Sequence, residues 1–342
     1  MLRTQRFAAV IGLICLASSA AAAEPATKPP AAQTARVVQF HGYTRAIELT
    51  RGSTRAVLCP EVGGRVLEFS IGGKDAMFLE DSEKAWQPGK PAPASAGRFD
   101  YGPELTVLAH RALWSGEWSG EITGPYAARL TSPRDESAGI QLIREFELAS
   151  SGDDAPVHLI CKQTIRNIGN EVREVCHWGR SFSPGGGICV IALGDRPSRF
   201  PAKYAMYEDS AIINVRNKDE KIRERDGFLE ILAPPRKPKL GFDATGGWLG
   251  YVMPNDTVFV KRFKTYPDRV YNEAAGLTLS VWYPTGPRIE LEPIGPRERL
   301  QPGESASFIE DWWLLPFAFP KEGQQVDLKA LNSLVTSQAP LP

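Results

Sequence analysis

The chain has 342 residues, long enough for one large domain, and its 31 glycines and 28 prolines break it into short elements. Its forty lysine and arginine side chains are balanced by forty aspartates and glutamates, and no segment concentrates one sign. That excludes nucleic acid and anionic membrane surfaces as partners, since both require a concentrated basic face.

At the start, Arg3 and Arg6 precede the apolar run "FAAVIGLICLASS" and the small residues "AAAAEP". This is the order of a secretory signal peptide with cleavage near Ala23, so residues 1–23 are expected to be removed and the protein to be periplasmic or secreted. The apolar run is too short for a membrane span. Cys15 invites a lipoprotein reading, but Gly12-Leu13-Ile14 lacks the small residue wanted just before the cysteine. "EPATKPPAAQTAR" offers almost nothing to bury and reads as a Pro/Ala tether over 24–36. The folded domain is expected over 37–320, and a tail with a short helix over 321–342.

Strand patterns follow almost without interruption. "AIELT", "TRAVLCP", "RVLEFSIGG", "YAARLTSP", "IQLIREFEL", "VHLICKQTIRN", "EVCHWGRSF", "GICVIAL", "WLGYVM", "TVFVKRF", "LTLSVWYP", "RIELEPI" and "SASFIEDWWLL" are rich in β-branched and aromatic residues and bounded by turn formers. Strands without intervening helices predict an all-β domain of antiparallel sheets, a large sandwich. The segment "FPAKYAMYEDSAIINVRNKDEKIRERDG" reads as a surface insertion. One helix is expected in "DLKALNSLVTSQ", with Asp327 as the cap and Leu328, Leu331 and Val335 on one face.

Four cysteines remain after the signal, Cys59, Cys161, Cys176 and Cys189, too few for a disulfide scaffold. If Asn167 to Asn170 is the loop of a hairpin, Cys161 faces Cys176 and Ile160 faces His177 across the ribbon. The two cysteines would then be cross-strand neighbours, with His177 on the mixed polar face. A zinc site from His158, Cys161, Cys176 and His177 fails on alternation, because residues an odd number apart on a strand point to opposite faces. Ser181 and Ser183 lack a nucleophile elbow, and the glycines 185–187 are not followed by the helix and Lys-Ser/Thr of a phosphate cradle. Neither a metal nor a cofactor is expected. Near the end, Arg288, Glu290 and Glu292 of "RIELE" share one strand face opposite Ile289 and Leu291.

The opening "RGSTRAVLCPEVGGRVLEFSIGGKDAMFL" resembles that of the galactose mutarotase-like proteins, and "IELEPIGPRERLQPGESASFIEDWWLL" is similar to the end of that fold. "YVMPNDTVFVKRF" between them resembles a strand pair in an exported branch of the superfamily. The resemblance spans about Glu48 to Leu315 and implies one β-supersandwich domain with a concave sugar-binding face. It also implies the chemistry of an aldose 1-epimerase, in which a glutamate takes the anomeric proton while a histidine protonates the ring oxygen. The positions that match are His177 as acid and Glu292 as base, with Glu290 on the same face in reserve. The family's Asn-Arg pair and Leu-His-Gly-Gly segment are replaced here by "GRFDYGPELTVLAHRALWSGEWSG". There Glu104, His110, Trp114 and Trp118 either rebuild a sugar site or, for the tryptophans, belong to the core. Arg180, Lys261 and Glu290 join Glu104, His110 and Trp114 as the expected substrate-binding set. Two functions stay open, a sugar mutarotase and a non-catalytic glycan-binding or envelope module on the same fold.

Overall fold

Period-2 burial runs through the strands. In Ile140–Ala149, Ile140, Leu142, Arg144, Phe146 and Leu148 are buried while Gln141, Glu145 and Glu147 are not. Such half-buried strands must stack a face on another sheet, and they do. The computed structural model describes residues 34–339 apart from 91, 108–109, 153–154 and 210–211. The expected signal peptide, Cys15 and the expected tether as far as residue 33 lie outside the described residues; the first strand, Ala35–Phe40, takes the last two residues assigned to the tether.

Among the described residues the strands form an antiparallel sheet of thirteen and another of ten. The centre of the larger sheet runs, strand by strand, through Gly97–Gly102, Arg173–Pro184, Arg288–Pro293, Leu279–Trp282 and Lys239–Phe242. The centre of the smaller runs through Trp248–Met253, Thr257–Phe263, Ser305–Pro316, His158–Asn167 and Ile140–Ala149. One apolar core fills the space between the sheets, with Phe99, Val281, Ile289 and Leu291 from the first meeting Leu142, Leu159, Phe259 and Trp312 from the second. The all-β sandwich expected from the strand patterns is therefore the architecture found.

The expected hairpin around Asn167 to Asn170 is not formed. His158–Asn167 pairs with Ile140–Ala149 and Ser305–Pro316, whereas Arg173–Pro184 lies in the other sheet. Asn167 makes the crossing: its side-chain amide donates to the carbonyls of Glu171 (2.7 Å) and Leu300 (3.0 Å), and its Oδ1 accepts from the Gly169 N–H. Cys161 consequently stands opposite Phe146 and Glu310, and Cys176 opposite Gly102. The cross-strand pairing of the two cysteines is thus corrected, and both are buried free thiols. The two halves of the rejected zinc set are likewise on different sheets.

The segment expected as a surface insertion is built into both sheets. Ala205–Tyr207 and Ile213–Asn214 extend the edge of the larger sheet, and Ile222–Arg225 extends the smaller. Its apolar Tyr204, Ala205 and Met206 are buried, which is why it cannot remain an excursion. The C-terminal helix Leu328–Gln338 lays Leu328, Leu331 and Val335 on Val258, Val260, Trp313 and Leu315, covering the outer face of the smaller sheet. Asp327 caps it, its carboxylate accepting the Ala330 N–H at 2.9 Å. Asp327→Ala is expected to lower stability by about 1 kcal/mol in thermal denaturation.

Candidate functional site

Registers across the middle of the larger sheet place residues in rows. Phe182 pairs with Glu290, Glu290 with Trp282, and Trp282 with Lys239. One step along the strands, Arg98 pairs with Arg180, and Ser280 with Glu292. Because paired residues share a face, Trp178, Arg180, Phe182, Glu290, Glu292, Trp282 and Lys239 all stand on the side turned away from the second sheet. Loops close over this face and leave a cleft of about 730 Å³, lined among others by Glu104, Trp114, Tyr207, Glu273 and the floor residues Arg180, Phe182, Lys239, Trp282 and Glu290.

Arg180 is the hub. Its Nε donates to Glu290 at 2.8 Å, and Nη1 lies 3.6 Å from Asp100 and 3.8 Å from Glu104. Its guanidinium sits over the rings of Trp114 (5.0 Å) and Trp178 (5.6 Å). Burial works against its charge, but Glu290, Glu292 and Asp100 outweigh that and hold it firmly protonated. Trp114 is itself placed by Arg98, which stacks on it at 4.4 Å and donates to its carbonyl at 2.9 Å. His110 binds Asp100 at 2.7 Å from behind the cleft wall.

The two glutamates of the "RIELE" strand are in different electrostatic positions. Burial, with the Glu292 charge added, raises the Glu290 carboxyl above the ordinary carboxylate range. Burial also pushes Glu292 up, but Lys239 and Arg180 more than offset it and hold Glu292 below that range. Lys239 Nζ grips both Glu292 oxygens, at 2.7 and 3.0 Å, and Trp178 Nε1 donates to one of them at 2.8 Å. Glu292 is therefore sealed beneath Lys239 and Trp178, fully buried, and it is Glu290 that reaches the cleft.

His177 is not in the cleft. It lies between Trp178 and Cys176 on its strand and so points to the reverse face, into the core between the sheets. There it is fully buried, stacked by Phe99 and Phe308, with Nε2 bonded to the Ala306 carbonyl at 3.0 Å. Burial lowers its pKa to about 4. The expected His177–Glu292 pair facing across a sugar is corrected by this geometry, because the two side chains leave the sheet on opposite sides. The error came from the hairpin: with Arg173–Pro184 paired to Gly97–Gly102 and Arg288–Pro293, the supposed polar face is the buried one.

Lys261 is corrected for the same reason. It rises from the second sheet into the core, where its Nζ meets Glu310 at 2.9 Å and Ser181 Oγ at 3.1 Å, with no path to the cleft. Of the expected substrate-binding residues, Glu104, Trp114, Arg180 and Glu290 converge on the cleft, and His110 supports it through Asp100. Trp114 and Trp118 divide: the first lines the cleft, while the second is buried in the core with its indole N–H donated to the Leu113 carbonyl. Phe182, Tyr207, Lys239, Glu273 and Trp282 were missed. Alternation alone places Phe182 with Arg180, and Trp282 opposite Glu290 once the two strands are paired, whereas Glu273 and Tyr207 come from irregular or inserted segments with no periodic signal.

No protein-family model matches this sequence, and no curated protein does. Solved structures do. A galactose mutarotase-like protein from Lactobacillus casei ATCC 334 superposes with a TM-score of 0.55 at 11% identity, over 79% of this chain and 99% of that one. A galactose mutarotase related enzyme from Lactobacillus acidophilus gives 0.55 at 9% identity, over 81% and 99%. A galactose mutarotase-like protein from Clostridium acetobutylicum gives 0.52 at 13% identity, over 80% and 96%. This chain shares the fold of these galactose mutarotase-like structures.

Proposed function

We propose that the cleft binds a carbohydrate, and that the protein acts outside the cytoplasm as a glycan-binding module. The observation that carries this reading is the meeting of two indoles, Trp114 and Trp282, with the Arg180–Glu290 pair and Glu104, which offer donors and acceptors, in the lining of one hollow of about 730 Å³. Aromatic faces suit the C–H side of a pyranose and charged groups suit its hydroxyls. The fold likeness to the galactose mutarotase related enzyme of Lactobacillus acidophilus supports a sugar as the ligand. The N-terminal signal pattern supports export to the periplasm or beyond.

One observation favours a second reading, catalysis. Glu290 has its pKa raised by burial and the Glu292 charge while its strand-mate Glu292 is lowered by Lys239 and Arg180, a contrast in environment of the kind that separates the roles of paired carboxyls. On that reading Glu290 exchanges a proton with the sugar and no histidine takes part. Titration calorimetry against common monosaccharides and envelope glycans tests binding; Trp114→Ala is expected to weaken the bound sugar by about tenfold. Binding to none of them, or a Trp114→Ala variant as tight as wild type, would sink the carbohydrate reading. Polarimetry on a freshly dissolved anomer separates the two readings: acceleration over buffer that is lost in Glu290→Gln establishes the enzyme, and no acceleration leaves the binding module.

A further inference from the structure

The cleft is unevenly charged, and the imbalance sits on one wall. Its lining carries Glu104, Glu208, Asp209, Glu273 and Glu290 against Arg180, Lys237 and Lys239, with Asp100 and Glu292 close behind. Two of the cations are spoken for. Arg180 is held by Glu290 at 2.8 Å, and Lys239 by Glu292 at 2.7 Å. Glu208 is neutralised from outside the cleft by Arg236, at 2.5 Å.

Glu273 has no such partner. It is only 2% exposed, yet it lines the cleft. Its Oε2 accepts the backbone N–H of Glu104 at 2.8 Å and lies against Gly102, where an added Cβ would come within 3.0 Å of it. Among the described residues no lysine, arginine or histidine lies within ion-pair distance of it. Beside it Glu104 is held to Arg180 only loosely, at 3.8 Å. A buried carboxylate without a counter-charge is costly, and a site that keeps one open to a cavity gains most from a ligand that brings a cation.

We propose that the cleft is selective for an amino sugar, a pyranose with a free ammonium group seated between Glu273 and Glu104 while its ring lies against Trp114. This inference rests on the carbohydrate reading and narrows it to a substrate class. Neutral sugars leave Glu273 without a counter-charge, an N-acetylated amine brings bulk without charge, and a uronic acid adds a further negative charge to an acidic wall. Burial raises the Glu273 carboxyl above the ordinary range, although the backbone N–H groups of Ala274 and Glu104 and the more distant Lys239 charge act the other way.

The experiment is titration calorimetry at neutral pH with glucosamine, N-acetylglucosamine, glucose and glucuronic acid, on wild type and on Glu273→Gln, which keeps an acceptor for the Glu104 N–H. The expected result is glucosamine bound about tenfold or more tighter than glucose or N-acetylglucosamine, the scale of one charge-assisted contact, with glucuronic acid weakest. In Glu273→Gln the ratio of glucosamine to glucose affinity should fall to about one. Glucose, N-acetylglucosamine or glucuronic acid bound as tightly as glucosamine by wild type overturns the proposal while leaving the carbohydrate reading standing. Binding of none of the four overturns the proposal, and failure of the wider glycan panel as well removes the carbohydrate reading with it. Should Glu273→Gln not fold, the wild-type comparison of glucosamine with its N-acetyl form decides alone.

Discussion

Replacing Lys261 with methionine is expected to cost about 3–5 kcal/mol of stability, the scale for removing one partner of a buried ion pair. Lys261 and Glu310 are both fully buried between the sheets, their Nζ and Oε2 2.9 Å apart. Glu310 also accepts Gln163 Nε2 at 2.7 Å and Trp312 Nε1 at 3.0 Å, while Lys261 reaches the Leu291 carbonyl at 3.1 Å. The network ties the second sheet to the two strands whose opposite faces carry Arg180 and Glu290. Methionine keeps the volume but strips the Glu310 carboxylate of its ion-pair partner inside the core, leaving only the weaker pull of charges such as Arg144, which is the expensive outcome. Gly179 tests the same carboxylate by shape: an added Cβ would stand 1.7 Å from Glu310 Oε1, so Gly179→Ala must displace a group locked on every side. Chemical denaturation of both variants and of the double variant Lys261→Met/Glu310→Gln is the measurement. The double variant should recover part of the loss, because it removes the stranded charge; a loss below about 1 kcal/mol for Lys261→Met would show that the pair is not what holds the sheets in register.

His177 should make the protein sensitive to acid. Its pKa is lowered to about 4 in the folded state, against an unfolded value of about 6.5. Below pH 6.5 the unfolded chain therefore takes up a proton that the folded protein refuses. The stability contributed by keeping this imidazole neutral is complete above pH 6.5, drains away as pH falls toward 4, and changes no further below that. Between pH 7 and pH 5 the loss from this one group is about 2 kcal/mol. His158, stacked on Trp313 at 3.9 Å and also lowered to about 4 by burial, contributes in the same direction. Comparing wild type with His177→Phe isolates the first, since phenylalanine can stack with Phe99 and Phe308 and has no proton to gain. Denaturant midpoints measured from pH 7 to pH 5 should fall less steeply in the variant. Equal slopes would mean that His177 is protonated within the fold, and would reopen a solvent-facing role for it.

Much of the architecture was legible in the chain. Alternation identified thirteen strands shared between the two sheets, because each buries one face and the period of a strand is two, but it passed over Gly97–Gly102 and Lys239–Phe242 at the centre of the larger one. Asp327 and the spacing of Leu328, Leu331 and Val335 marked the terminal helix. The Arg288, Glu290, Glu292 face was also correct, since neighbours two apart on one strand share a side whatever the strand pairs with. What alternation cannot say is which side is the inside. Cys176, His177, Trp178, Gly179 and Arg180 read equally well in either sense, and their facing was settled by partners more than 70 residues away in sequence, at Gly97–Gly102 and Arg288–Pro293. Long-range pairing put His177 and Lys261 into the core and brought Lys239, Glu273 and Tyr207 to the cleft. Local sequence determined where many of the strands are and which residues travel together on a face; the tertiary structure alone decided which faces meet, because strand pairing is set by the burial of whole sheets and not by the few residues at a turn.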